Sequence, residues 1–182
     1  MVARWYPVLT RRTVCSGVAA ALLVLSGCGP KDGLSDNDRR MLALQQGAEG
    51  LRSLGAKVEE RTYSVGNAWA VSLSGMTISD DLLRQVKQLG NISELDLSKT
   101  TLTDDHMPLF NELGLGTLAT KLDLSHTALT DAGFEKLDNL RFLSQLNLTS
   151  TKVTPAAVER FKKKRQNDAR ILPLFKNPTV RL

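Results

Sequence analysis

Leu95-Asp-Leu-Ser-Lys-Thr-Thr-Leu-Thr-Asp104 and Leu122-Asp-Leu-Ser-His-Thr-Ala-Leu-Thr-Asp131 are one ten-residue phrase written twice. Val71-Ser-Leu-Ser-Gly-Met-Thr-Ile-Ser-Asp80 precedes them in looser form, and Leu146-Asn-Leu-Thr-Ser-Thr-Lys-Val-Thr-Pro155 follows. The third residues of the four phrases, Leu73, Leu97, Leu124 and Leu148, are 24, 27 and 24 residues apart, and another step of 24 lands on Leu172. A period of this length marks a stack of similar units, each of which buries its apolar face only against its neighbours.

The interior of the phrase reads as strand, turn and helix start. Leu-x-Leu alternates apolar and polar side chains with the strand period of two, which sends Leu95 and Leu97 inward and Asp96 outward. Thr100, Thr127 and Thr151 stand at the turn, where a hydroxyl can satisfy backbone groups. Met76 breaks that pattern, so the first unit is expected to be less regular. Ser79, Thr103, Thr130 and Thr154 occupy helix N-cap positions, with Asp80, Asp104 and Asp131 in the first turn, where a carboxylate complements the helix dipole. Pro155 fills the same slot, where its missing N–H is no loss. Phe134, Leu137 and Leu140 then follow at helical spacing.

This pattern resembles the leucine-rich repeats of the strand-plus-helix type, found in ribonuclease-inhibitor-like and cysteine-containing-repeat proteins; the likeness covers residues 71–174. The resemblance implies an α/β fold: a short leucine-rich-repeat solenoid with parallel strands on one face and helices on the other. The extra residues of the 27-residue step are placed around Gly114-Leu-Gly-Thr117. Residues 35–70 are expected to cap the first unit. Ser35 starts a helix from Asp36 to Leu54 with Met41, Leu42, Leu44, Ala48 and Leu51 as its apolar face and Gly55 as its stop. Val58 to Val65, a turn at Gly66-Asn67, and Ala68 to Leu73 read as a hairpin whose second arm is the first repeat strand. At the other end, Arg170-Ile-Leu-Pro-Leu174 is expected as a shortened last strand, and residues 175–182 as a flexible tail.

Ahead of this domain, residues 1–14 are basic and free of acids, and Gly17 to Leu25 form an apolar run far shorter than the roughly 20 residues needed to cross a bilayer. The run leads into Leu25-Ser26-Gly27-Cys28, which resembles the lipobox of bacterial lipoproteins. The resemblance implies a signal peptide over 1–27, a diacylglycerol on the Cys28 thiol as the only cofactor-like group, and a tether over 28–34. Gly29 rather than Asp after the anchor points, by likeness to the sorting rule of diderm bacteria, to the outer membrane more than the inner. Several acyl chains anchor firmly, since each buried methylene contributes about 0.8 kcal/mol.

Composition agrees with an aliphatic, repetitive core: aromatic residues make up 5% of the chain. The formal charge of +5 invites a nucleic-acid reading, but Arg4, Arg11 and Arg12 belong to the leader, and residues 28–182 carry 21 Lys and Arg against 19 Asp and Glu. A weakly acidic body ends in a basic tail. Nucleic acid is therefore not an expected partner. Cys15 would leave with the leader and Cys28 would be acylated, which leaves no cysteine for a disulfide or a metal.

No catalytic constellation stands outside the repeat. His106 and His126 fall on a helix start and a repeat turn, without further ligands nearby in sequence, and read as surface residues. No enzymatic activity, metal or small-molecule substrate is expected. The candidate binding face is the outward side of the parallel strands: Ala70, Ser72 and Ser74; Glu94, Asp96 and Ser98; Lys121, Asp123 and Ser125; Gln145, Asn147 and Thr149. It holds none of the Trp, Tyr and Arg that anchor tight interfaces. These residues either bind a partner or let the sheet curve without crowding. Asp96 beside Asp123 is its one notable feature, because adjacent like charges destabilise the sheet unless a cation shares them. Lys162, Lys163, Lys164 and Arg165 either complement the end of a helix dipole or touch anionic lipid headgroups. The expected function is a membrane-anchored, non-catalytic module binding a protein or envelope polymer; the alternative is a structural envelope lipoprotein with no specific ligand.

Overall fold

The computed structural model describes residues 35–63, 66–137 and 140–182; the expected leader, Cys28 and the tether lie outside them. The chain begins with helix α1 (Asp36–Ser53), strand β1 (Lys57–Tyr63) and strand β2 (Gly66–Ser72). Helix α2 (Asp80–Gln88) and strand β3 (Ile92–Asp96) follow, then a single 3-10 turn at Asp104–His106 running into helix α3 (Met107–Leu113). Strand β4 (Lys121–Asp123), helix α4 (Asp131–Glu135), strand β5 (Gln145–Asn147) and helix α5 (Pro155–Asn167) continue the alternation. A 3-10 turn at Pro173–Phe175 leads to strand β6 (Thr179–Arg181). The six strands form one sheet in chain order. β1 and β2 are antiparallel, and every later pair is parallel. The fold is α/β, with a mostly parallel sheet.

The phrase repeated in the sequence becomes a repeated local structure. Leu95, Leu122 and Leu146 are paired neighbours across the sheet, and with Leu97, Leu124 and Leu148 they are at most 2% exposed. Leu102 and Leu129 are fully buried beyond the turns. The threonine hydroxyls act as expected: Thr100, Thr127 and Thr151 donate to the carbonyls of Leu97, Leu124 and Leu148, each at 2.7 Å. Met76 has no hydroxyl, and only its amide donates to the Leu73 carbonyl, at 3.0 Å, as the Thr151 amide does to Leu148 at 3.1 Å.

The residue before each of these four positions has a left-handed backbone: Gly75 at φ 79°, Lys99 and His126 at 57°, and Ser150 at 58°. Only the first is a glycine. For an L-residue this region is disfavoured by about 1–2 kcal/mol, partly offset by the smaller loss of chain entropy relative to glycine. Lys99→Gly is therefore expected to stabilise the protein by about 0.5 kcal/mol, measured by urea unfolding. A loss of stability would show that the Lys99 side chain matters more than its backbone.

The expected caps form, and two acids act across the repeats as well. Ser79, Thr130 and Thr154 hydroxyls accept from Leu82, Ala132 and Ala157 amides. Thr103 is capped differently, its amide donating to His106 Nδ1 at 3.1 Å. The Asp104 carboxylate accepts the amide and hydroxyl of Thr130, at 2.9 and 2.6 Å, and Asp131 accepts those of Thr154, at 2.6 and 2.7 Å. Each acid thus complements its own helix and clamps the next cap. Gly133 makes room for the first clamp, since a Cβ there would lie 2.2 Å from Asp104 Oδ1.

The Thr154 amide and hydroxyl hold the Asp131 carboxyl below the ordinary aspartate range, and Arg160 adds to the shift. A depressed carboxyl stabilises the fold above the unfolded-chain pKa, near 4, and loses that contribution as pH falls through its folded value. Acid unfolding between about pH 4 and 2 should accordingly be shallower in Asp131→Asn than in the parent chain. An unchanged profile would mean that other carboxyls set acid stability.

Four expectations need correction. Gly66 and Asn67 are not the hairpin turn but the first residues of β2, opposite Tyr63 and Thr62. Of the proposed apolar face of α1, Ala48 and Leu51 are buried and Leu44 is partly buried, while Met41 and Leu42 are 40% and 45% exposed because the first turns of α1 reach beyond the core. α4 spans only 5 residues, although Phe134, Leu137 and Leu140 are buried as expected. Finally, Arg170–Leu174 is not the last strand: Leu172 and Leu174 are 59% and 83% exposed. α5 ends at Asn167, and the connection that follows, with its 3-10 turn at Pro173–Phe175, occupies the next repeat position instead of a strand. The strand that completes the sheet lies in the expected loose tail, where Val180 pairs with Leu146.

Candidate binding face

The sheet register decides which side chains meet. Lys57, Ser72, Asp96, Asp123, Asn147 and Arg181 are successive partners across all six strands and make one transverse row. Glu59, Ala70, Glu94, Lys121, Gln145 and Thr179 make the row beside it. Together with Arg61 these side chains line a groove of about 430 Å³. That volume lies within the range of about 300–1,000 Å³ typical of ligand sites.

The expected face is therefore present in its central part. Ser72, Glu94, Asp96, Lys121, Asp123 and Asn147 line the groove, with Ala70 and Gln145. Ser74, Ser98, Ser125 and Thr149 lie outside that lining, at the turn ends of their strands. Ser125 is 6% exposed, and Ser74 Oγ and Ser98 Oγ share a hydrogen bond of 2.9 Å. The expectation of a face without arginine is overturned by Arg61 on β1 and Arg181 on β6. The alternation Lys57-x-Glu59-x-Arg61 signals one outward face of β1 in the sequence. No comparable signal marks β6, which carries only a short strand outside the repeat phrase.

The two rows treat charge differently. In the second, Lys121 Nζ is 2.8 Å from Glu94 Oε1, and Arg61 pairs with Glu59 at 3.0 Å. In the first, Asp96 and Asp123 are direct neighbours, yet among the described residues each is satisfied only by neutral donors. Asp96 accepts the Ser98 amide at 2.9 Å and the Ser72 hydroxyl at 2.7 Å. Asp123 accepts the Ser125 amide at 2.8 Å and Asn147 Nδ2 at 2.9 Å. Oδ2 of each acid is turned towards a different neighbour, Ser72 or Asn147, an arrangement that limits the repulsion without neutralising it.

The basic cluster on α5 divides. Lys163 and Lys164 are exposed, and Lys162 Nζ pairs with Glu159 at 2.9 Å. Arg165, expected beside them as a headgroup contact, is 4% exposed and is removed from that surface. Its guanidinium donates to the carbonyls of Leu140, Leu143 and Phe175 and lies 5.4 Å from the centre of the Phe161 ring. Burial lowers the Arg165 pKa, partly opposed by the charge of Asp168. Arg170 hydrogen bonds hold the Asp168 carboxyl at about 2.

The described residues contain no group of three or more His, Cys, Asp or Glu placed to hold a metal ion. His106 is engaged in the Thr103 cap, and His126 is exposed on its turn. No described helix is long and apolar enough to cross a membrane. No protein-family model matches the chain, and no curated protein is found to be similar to it.

Proposed function

We propose that this chain is a membrane-anchored, leucine-rich-repeat binding module that acts without catalysis and takes a partner on the face of its sheet. The observation that carries the reading is the groove, lined by residues of all six strands with charged and amide side chains among them. The repeated phrase supports the solenoid reading, because each copy places its leucines, its hydroxyl-donating threonine and its helix cap in equivalent positions. A rigid parallel sheet presents these groups in fixed register, so little ordering is needed on binding. The Leu25-Ser26-Gly27-Cys28 motif supports acylation at Cys28 and an extracytoplasmic location, with the outer membrane favoured in a diderm host. The partner is a protein or an envelope polymer.

Crosslinking from native envelopes with acylated protein, read by mass spectrometry of the bait N-terminus and of captured partners, tests the whole reading. A lipidated Cys28 and one enriched partner are expected. Asp96→Asn with Asp123→Asn should weaken capture and change stability by no more than about 0.5 kcal/mol, because removal of the adjacent like charges is offset by loss of the carboxylate oxygen that accepts Asn147 Nδ2. Asparagine retains the side-chain oxygen that accepts the Ser98 or Ser125 amide, so the turns persist. A lipidated protein with no partner would instead indicate a structural envelope role.

A further inference from the structure

The transverse row through Asp96 and Asp123 is a charge pattern that nothing in the described part of the chain completes. Its centre holds two adjacent carboxylates with no cationic partner. Its ends hold Lys57 and Arg181, neither of which makes an ion pair among the described residues. The parallel row beside it shows the contrast, because both of its acids have a basic partner within the groove, Arg61 for Glu59 and Lys121 for Glu94. The uncompensated row thus reads base, acid, acid, base across the sheet.

We infer that the groove docks an extended polypeptide segment running across the strands, with one Lys or Arg seated between Asp96 and Asp123 and an acidic residue towards each end. This rests on the proposed binding function and names its partner class. Adjacent strands lie about 4.8 Å apart, so Lys57 and Arg181 each stand about 12 Å from the midpoint of the acid pair. An extended peptide advances about 3.4 Å per residue and returns a side chain to the same face every second residue. The acids therefore fall at the fourth position on either side of the central base. Neutral glycans supply neither charge, and the groove lining offers no aromatic ring on which a sugar could stack. A divalent cation would satisfy the acids but leave Lys57 and Arg181 unmatched. A polypeptide supplies all three charges on one chain.

The test is selection from a randomised nonapeptide library on the folded chain, with the Asp96→Asn, Asp123→Asn variant and Arg181→Glu in parallel. Enrichment of a base with acids four residues to either side is expected. The central base should lose its enrichment, by tenfold or more, on the double variant, while Arg181→Glu should convert preference at one flank from acid to base. Peptides enriched without that charge pattern, or equally by all three proteins, would overturn the inference and leave the binding module standing. No peptide enrichment, with calcium or magnesium bound in its place, would also overturn it. Failure of the parent reading is a separate result: no envelope partner captured by crosslinking.

Discussion

Replacing Arg165 with alanine is expected to destabilise the protein by about 3 kcal/mol, because a buried charged donor serving several acceptors cannot be removed without leaving those acceptors dry. The side chain is 4% exposed and serves three carbonyls from three places in the chain, Leu140 and Leu143 before β5 and Phe175 before β6. It therefore fastens the long connection after α5 back onto the preceding repeat. Lysine should rescue little, since a point ammonium cannot reproduce a planar fork directed at several carbonyls. The readout that separates a latch from a general core effect is hydrogen exchange. The Leu148 amide donates to the Arg181 carbonyl and the Thr179 amide to the Ser144 carbonyl, both at 2.8 Å. In Arg165→Ala both should lose protection before Leu97 and Leu124 do. Uniform loss across the sheet, or no loss of stability, would end the latch interpretation.

Leu124→Ala is expected to have the larger effect, about 3–5 kcal/mol in chemical denaturation, which approaches the whole stability of many domains. Leu124 is fully buried, and its equivalents in the flanking repeats, Leu97 and Leu148, are buried as well. Neighbouring repeats on both sides hold the walls of the resulting cavity apart, so collapse around it is limited. Val180 makes a useful control: it is only partly buried on the last strand, and Val180→Ala should lower stability by about 1 kcal/mol or less. Equal losses at the two positions would show that the repeats do not share their cores as this packing requires.

The amino-acid sequence by itself determined the repeat and its contents. Alternation placed the leucines of the Leu-x-Leu pairs inside, and hydroxyl chemistry placed Thr100, Thr127 and Thr151 on the turn carbonyls. Small polar residues set the helix caps. These are short-range effects, governed by periods of 2 and 3.6 residues and by groups a few positions apart, so they can be read along the chain. The same logic placed the central residues of the groove on one face, because a strand's outward side is fixed by its inward one.

Only the tertiary structure decided how the sheet ends and what the acids reach. β6 lies within the final eight residues because the connection after α5, with its 3-10 turn at Pro173–Phe175, takes the place of a strand at the 24-residue step, and loop length has no signature in the repeat phrase. Arg181 thereby enters the groove opposite Asn147, and Lys57 enters from an antiparallel strand whose register is set by pairing with β2. Arg165 reads as one more charge in a basic run until packing turns it inward, because a helical neighbour of Lys164 points about 100° away from it. Likewise, the reach of Asp104 to Thr130 and of Asp131 to Thr154 spans 26 and 23 residues and exists only once successive repeats are stacked. Local chemistry chose the units; contacts distant in sequence chose the edges, the latch and the charge pattern of the face.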